Sequence, residues 1–227
     1  MTERENTMQI LRKGFTLAEV LITLLIIGVI ASIVIPGLIQ DSQNAEYKAA
    51  WKKAYSDIDQ AVRRIVSDQG GNLIGMCADT DCLKNELSAY ISNVKQCNAD
   101  ANTTTVNGCW HIYNGDATFK ASYMNGSAVT TSTWRTSPAG LIFNNGNLLY
   151  IAWYSNTCIR AYGSVNVCAL LFVDINGLKA PNTFGKDIYG IHVLNNGIKP
   201  FGTAGDNMQG RCSTSTDGFG CAADYLK

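Results

Sequence analysis

The sequence has little of what an enzyme or a nucleic-acid-binding protein needs. Its 18 basic and 18 acidic residues give a formal net charge of zero, so there is no overall positive field to hold nucleic acid. The two histidines and the scattered serines form no recognisable nucleophile–base motif, and no phosphate-binding glycine loop with its lysine occurs. We therefore predict a protein that is not an enzyme, and the sequence indicates no specific nucleic-acid partner.

Cysteine is absent from the first 76 residues, and no Cys-x-x-Cys pair occurs, which argues against a zinc site. An even number of cysteines confined to the rest of the chain predicts disulfides in an oxidising compartment. The eight residues are Cys77, Cys82, Cys97, Cys109, Cys158, Cys168, Cys212 and Cys221. Eight cysteines allow many connectivities, and the short separations within 77/82, 97/109, 158/168 and 212/221 favour local pairing.

Charge is almost absent from residues 15–35, an apolar run that Arg12 and Lys13 precede. With a rise of about 1.5 Å per residue, an α-helix of this length spans roughly 31 Å, which matches a hydrocarbon core of about 30 Å. The two basic residues are expected to stay on the cytoplasmic side. The sequence thus predicts one membrane-spanning helix, with the globular part of the chain outside.

Glu19 is the one charged residue within this apolar run. A carboxylate is costly at the centre of a membrane helix and less costly near an end of it. We expect a sequence that keeps such a group to pair it with a positive charge on a partner. The alternative is that Glu19 extends to the cytoplasmic headgroups without a partner.

Residues 12–36 resemble the N-terminus of type IV pilins and of the pseudopilins of type II secretion, with Gly14, Phe15, Glu19 and Pro36 in the matching places. In that family a membrane peptidase, the prepilin peptidase, cleaves after the glycine, and the new N-terminal residue, usually phenylalanine, is N-methylated. The resemblance implies that Gly14 and Phe15 form the processing site. It also implies that Glu19 pairs with the methylated amino group of Phe15 on an adjoining subunit during assembly.

An ordinary signal anchor or secretory signal peptide is the alternative interpretation of this segment. A secretory signal has a small-residue cleavage site after its apolar core, whereas the junction between Gly14 and Phe15 lies before the core. The leader peptide is expected to comprise residues 1–14, or a shorter segment if Met8 is the true start.

Beyond Pro36 the sequence predicts that the helix continues. Apolar residues recur at steps of three and four, which defines one helical face: Tyr47, Trp51, Ala54, Tyr55, Ile58, Val62 and Ile65. We expect this face to pack on the protein's own sheet, the alternative being a separate partner helix. The predicted division is a transmembrane and assembly helix at 15–36, an amphipathic continuation at 37–70 that ends at two glycines, and an extracytoplasmic globular domain at 71–227.

The globular part is predicted to be loop-rich at first and strand-rich later. Residues 72–138 are polar, with one expected helix at Leu83–Val94 and short strands that the pattern does not place. Later strands are expected at Leu141–Phe143, Asn147–Trp153, Cys168–Ile175 and Gly190–Leu194, with a hairpin turn at 144–146 and loops at 154–167 and 200–227. The predicted fold class is α+β and pilin-like: a long N-terminal helix packed on a small antiparallel sheet, with disulfide-tied loops.

One stretch concentrates oxygen ligands and turn residues, and calcium is the one candidate cofactor. Calcium takes six to eight oxygens, and Asp174, Asn176, Asn182 and Asp187 are the candidate ligands. The spacing is not that of an EF-hand, and the alternative is an Asn-Gly turn followed by an Asx turn. The resemblance adds that major pseudopilins have a C-terminal calcium loop. The aromatic residues Tyr123, Trp134, Trp153 and Tyr154 are interpreted as core rather than as a binding face.

The sequence predicts a structural role: a subunit of a helical filament assembled from the bacterial inner membrane, which the protein crosses once. After assembly, the filament is expected in the periplasm or at the cell surface. Its expected partners are the prepilin peptidase, the membrane and other pilin or pseudopilin subunits. The filament is either a type II secretion pseudopilus or a type IV pilus. The alternative is a solitary membrane-anchored binding protein or adhesin that uses the prepilin signal for export.

Overall fold

The computed structural model describes residues 14–99, 108–110, 121–129 and 137–227. The chain divides into two compact units, Met1–Gln43 and Asn44–Lys227. Helix α1, Leu17–Asp68, contributes to both units. Trp134, one of the aromatic residues interpreted as core, lies outside the described residues.

In the first unit, α1 exposes apolar side chains on all of its faces. By length and composition it is the one helix among the described residues that could cross a membrane. Leu25 and Ile33 are 69% and 74% exposed, and the neighbouring leucines, isoleucines and valines are similarly uncovered. Pro36 lies inside the helix. A helix that is apolar all round is stable only where lipid or protein covers it.

In the second unit, α1 buries one face against the core of the globular domain. The buried residues recur at steps of three and four: Trp51, Ala54, Ile58, Ala61, Val62 and Ile65. The helix ends as predicted, because Gly70 and Gly71 both have positive φ angles, 77° and 107°. Their N–H groups donate to the carbonyls of Ser67 and Val66, which is the Schellman arrangement. The face therefore packs within its own chain rather than on a separate helix.

The core of the second unit is a six-stranded antiparallel sheet in the order β1-β2-β3-β6-β7-β8. Its strands are β1 Asn93–Cys97, β2 Ala139–Phe143, β3 Leu148–Trp153, β6 Ala169–Asp174, β7 Ile188–Leu194 and β8 Gly197–Pro200. Nearly every residue of β3, β6 and β7 is buried, so both faces of the central sheet are covered. The predicted α+β architecture, with its long helix on an antiparallel sheet, is confirmed.

Three local predictions need correction. Helix α2 spans Thr80–Tyr90 rather than Leu83–Val94, because Asp79 caps its first turn by accepting the Cys82 N–H at 2.8 Å. Val94 belongs instead to the edge strand β1. The segment predicted as a loop at 154–167 holds a small hairpin, β4 Arg160–Tyr162 and β5 Val165–Val167. Strands of three residues are too short to show a periodic pattern. The short helix α3, Cys221–Asp224, lies within the predicted C-terminal loop.

All eight cysteines are paired, and each bond joins neighbours in sequence. The disulfides are Cys77–Cys82, Cys97–Cys109, Cys158–Cys168 and Cys212–Cys221. This is the local pairing that the sequence favoured. The bonds close loops at the start of α2, after β1, around the small hairpin and before α3. Each such bond typically contributes about 2–4 kcal/mol to stability.

Candidate functional site

The start of α1 is held by a reciprocal hydrogen-bond pair between Thr16 and Glu19. The carboxylate oxygen Oε2 of Glu19 accepts the Thr16 N–H and the Thr16 hydroxyl, both at 2.8 Å. In return, Thr16 Oγ1 accepts the Glu19 N–H at 3.2 Å. This is a capping box, in which the residue before the helix and the third helical residue satisfy each other's backbone N–H groups. The carboxylate is thereby fixed at the positive end of the helix dipole.

The same carboxylate keeps one oxygen for a second partner. Both bonds from Thr16 end on Oε2, and within the described residues Oε1 has no donor. The neighbouring Phe15 side chain is 86% exposed and Leu17 is 80% exposed. The beginning of α1 therefore presents a carboxylate oxygen surrounded by uncovered apolar side chains.

The family description "Prokaryotic N-terminal methylation motif" matches residues 11–35. The chain carries a prepilin-type N-terminal signal. This is the signal of type IV pilins and pseudopilins, and here it contains Gly14, Phe15 and Glu19. Comparison with curated proteins and with solved structures gives no match. The family match thus covers the N-terminal segment, residues 11–35. For the rest of the chain, the fold is what the structure provides.

Thr16 is a functional residue of the prepilin-type signal that was not predicted beside Gly14, Phe15 and Glu19. A signal for it was present, since Thr16-Leu17-Ala18-Glu19 has the Thr-x-x-Glu spacing of a capping box directly before an apolar helix. Thr16 is thus a positioning residue for Glu19, because it orients the carboxylate without being the charged group itself.

The four predicted calcium ligands are brought to one end of the sheet. Asp174 is the last residue of β6, and Asp187 directly precedes β7, whose first residue pairs with Asp174. Asp174 and Asp187 are fully buried, Asn182 is nearly so, and Asn176 is partly buried. The loop between the two strands therefore collects carboxylate and amide oxygens in one place.

Two of the amide oxygens in this loop are buried without a hydrogen-bond partner among the described residues: Oδ1 of Asn176 and Oδ1 of Asn182. Buried polar atoms are normally satisfied, so such a pair needs an explanation. Oxygen atoms of this kind, beside two buried carboxylates, suit a hard cation such as calcium.

The carboxylates of the loop also accept backbone hydrogen bonds. Asp187 accepts the N–H groups of Asn182 and Thr183 at 2.7 and 2.6 Å. Asp174 accepts the Asn176 N–H at 3.1 Å, which forms an Asx turn before Asn176-Gly177, whereas the alternative interpretation placed an Asx turn after it. Burial raises the pKa of Asp187, although the bonds from Thr183 and Asn182 oppose that effect. This turn does not compete with a cation site, because the turn uses an oxygen of Asp174, whereas the oxygens without a hydrogen-bond partner belong to the two asparagines.

A buried pair that was not predicted from the sequence joins β7 to the C-terminal loop. His192 Nε2 and Asp206 Oδ2 lie 2.9 Å apart, and both side chains are fully buried. Asp206 also accepts the N–H groups of Gly202 and Met208 at 2.7 and 3.1 Å. The His192 ring packs on Phe201, with 4.4 Å between the ring centroids. No local sequence motif predicts this pair, because the two residues come into contact only when the C-terminal loop folds back over β7.

Acid is expected to weaken this connection. Burial raises the pKa of Asp206, but hydrogen bonds from His192 and Gly202 outweigh it, so the pKa lies below its usual value. An Asp with a lowered pKa contributes stability above its unfolded value of about 3.9, and this contribution is lost as the pH falls through the lower, folded value. We expect Asp206→Asn to be less stable at neutral pH and to depend less on pH in this acidic range. Thermal unfolding followed by circular dichroism at several pH values measures this, and an unchanged acid dependence would contradict it.

Proposed function

We propose that this protein is a subunit of a helical filament assembled from the bacterial inner membrane. The observation that carries the proposal is the methylation motif at residues 11–35. The uncovered apolar surface of α1 supports it, because such a surface can lie first in lipid and then among the helices of other subunits. The four disulfides support export of the globular domain to an oxidising compartment.

In the proposed assembly, prepilin peptidase cleaves after Gly14 and the amino group of Phe15 is methylated. Oε1 of Glu19 then accepts a hydrogen bond from the positively charged amino group of Phe15 of an adjoining subunit. Thr16 continues to donate its two hydrogen bonds to Oε2. A single charge pair in an otherwise apolar interface between helices fixes how far each subunit inserts into the filament. Desolvation offsets much of the attraction, so the pair provides register more than stability.

Processing gives the first test of this proposal. Gly14→Val is expected to leave the precursor uncut in the membrane, because a branched side chain replaces the small residue at the cleavage position. The wild-type protein is expected to begin at N-methylated Phe15. Intact-mass analysis of protein purified from the cell envelope measures both results. Gly14→Ala, the smallest change, is the control and should retain more cleavage. A wild-type protein that begins at Met1, or that is cut beyond Ile35, would refute the proposal.

The prepilin-type signal is shared by secretion pseudopilins and type IV pilins, and a gene deletion separates these two functions. We expect the deletion to abolish protein secretion if the filament is a pseudopilus. Loss of surface filaments, with secretion intact, would identify a pilus. Loss of neither would favour the solitary anchored binding protein or adhesin.

We also propose that residues 174–187 bind calcium. Asp174, Asn176, Asn182 and Asp187 would supply oxygen ligands, and the two orphaned amide oxygens support this assignment. A ligand that binds only the folded state stabilises it, by about 2.7 kcal/mol at 100 times its Kd. Calcium should therefore raise the melting temperature of the detergent-solubilised protein.

The calcium-induced shift in melting temperature, rather than the melting temperature itself, is the quantity to compare between variants. Asp174→Ala and Asp187→Ala should each reduce the shift. Asn196→Ala, in the exposed turn between β7 and β8, is the matched control and should keep it. No shift of the wild-type protein at millimolar calcium would mean that the loop is only a turn.

A further inference from the structure

Lys84 is a buried lysine whose amino group lies between two side chains. It is 2% exposed, in the middle of α2. Its Nζ lies 3.0 Å from Oδ1 of Asp81 and also donates to Oδ1 of Asn98. Lysines are almost never fully buried unless paired. Here an amine, a carboxylate and a carboxamide meet at one point, where α2 reaches the end of β1.

The backbone around this point is tightly held. The Ala99 N–H donates to both carboxylate oxygens of Asp81, at 3.0 and 3.2 Å, which fixes the chain directly after Asn98. Cys82 and Cys97, each next to a member of the group, are both in disulfides. The backbone that carries Asn98 is therefore held beside the buried Lys84 amine, although Asn98 itself is exposed.

This geometry is suited to an acyl transfer. An amine that hydrogen-bonds to an amide oxygen lies one bond beyond reach of the carbonyl carbon, so a small side-chain rotation brings it to the separation of about 3–3.5 Å at which bound groups react. Asp81 touches the amine and can carry protons from it. Holding reactants in place in this way can replace much of the barrier that a reaction in solution would face.

We propose that Lys84 and Asn98 become joined by an intramolecular isopeptide bond. Asp81 takes a proton from the Lys84 ammonium group, and the neutral Nζ attacks Cγ of Asn98. The bond between Cγ and Nδ2 then breaks as Asp81 passes the proton to Nδ2. The bonded Nζ then gives its second excess proton to the released ammonia, which leaves as ammonium, so one amide replaces another without an oxidant or a reductant.

The bond would join α2 covalently to the edge strand β1. Without it, this junction depends on hydrogen bonds and on packing. Pulling on a subunit could separate a helix from a sheet edge, and a covalent amide would prevent that separation. The proposal goes beyond filament assembly, because the bond forms within one chain whether or not subunits assemble.

Peptide mapping of the full-length protein tests the proposal. The protein is purified in detergent, reduced, alkylated and digested with trypsin. An unlinked chain yields separate peptides 65–84, 85–95 and 96–120, because trypsin cleaves after each lysine and arginine. The linked chain yields peptide 65–95 joined to peptide 96–120, because modified Lys84 is not cleaved. We expect the joined species and the loss of free peptide 85–95.

The mass of the intact protein supports the peptide map but does not by itself establish the isopeptide bond. The linked protein is lighter by one ammonia, yet cyclisation of an asparagine to a succinimide loses the same mass. The joined peptide, sequenced by fragmentation, distinguishes the two. Wild-type protein that releases peptide 85–95 in the same yield as other tryptic peptides would overturn the proposal, even if no variant folds.

Two variants assign the roles within the group. Lys84→Arg keeps a positive charge beside Asp81 and Asn98 but is not expected to form the bond, so peptide 96–120 should appear unjoined. Asp81→Asn removes the proton carrier while keeping a side chain of the same shape, and the joined species should fall sharply. A joined species in Lys84→Arg would overturn the assignment of the bond, and an undiminished one in Asp81→Asn would overturn the role of Asp81.

Discussion

Glu19→Ala is expected to reduce filament yield to less than about a tenth of the wild-type yield, because the Phe15 amino group of the adjoining subunit is left charged and unpaired in apolar surroundings. Insertion and cleavage should be unaffected, since the apolar run and the junction at Gly14 are intact. The second unit, Asn44–Lys227, should fold as before. Filaments sheared from cells and quantified by immunoblot measure the yield, and processed protein in the membrane fraction serves as the reference.

Two variants separate the charge from the capping box. Glu19→Gln keeps an acceptor for Thr16 but has no charge, so it should assemble poorly. Thr16→Ala keeps the charge but removes the hydroxyl that bonds to Oε2, so it should assemble better than Glu19→Gln. The reverse order would mean that the capping box, not the charge pair, is what assembly needs. Normal yield from Glu19→Ala would favour a glutamate that reaches the headgroups alone, and a solitary anchored protein.

The parts of the fold that could be predicted are those whose signals are local. The buried face around Trp51 and Ile58 was visible in steps of three and four, and Gly70 and Gly71 indicated where the helix ends. The hairpin between β2 and β3 was visible because Asn145-Gly146 separates two apolar runs, and Gly146 has φ 88°. Each of these features depends on a few consecutive residues, so tertiary contacts did not override it.

The parts that could not be predicted depend on contacts between distant residues. Strand β1 has mostly exposed residues and no alternating pattern, and it is a strand because β2 pairs with it. The pair His192 and Asp206 has no signal before the C-terminal loop folds over β7. The same holds for Lys84, which lies on α2, and Asn98, which directly follows β1. Sequence therefore predicted the prepilin-type signal well and the polar groups within the globular domain poorly.

The loop at 174–187, for which we propose calcium binding, lies between these two cases. Sequence placed Asp174, Asn176, Asn182 and Asp187 in one stretch, which the strands β6 and β7 bring together. It did not predict that Asp187 would hold the backbone of Asn182 and Thr183. The spacing of these residues suggested the ligand atoms. Only the fold shows which of their oxygens accept hydrogen bonds within the loop and which have no hydrogen-bond partner among the described residues.

Trp51→Ala is expected to destabilise the globular domain by about 3–5 kcal/mol, the usual cost of replacing a fully buried aromatic residue with alanine. Trp51 is fully buried and stacks on Tyr189, with 4.6 Å between ring centroids. Its indole N–H donates to the Ala222 carbonyl at 3.0 Å, so one side chain joins α1, β7 and α3. Since a domain has a net stability of roughly 5–15 kcal/mol, the loss is a large share of the total.

Denaturant unfolding of the detergent-solubilised protein measures this loss, and two variants show where it comes from. Trp51→Phe keeps most of the ring contact with Tyr189 but leaves the Ala222 carbonyl without its donor, so it should cost about 1–3 kcal/mol. Lys53→Ala, an exposed position on the same helix, should leave the midpoint nearly unchanged. If Trp51→Ala destabilises no more than Lys53→Ala, this part of α1 is not anchored to the sheet.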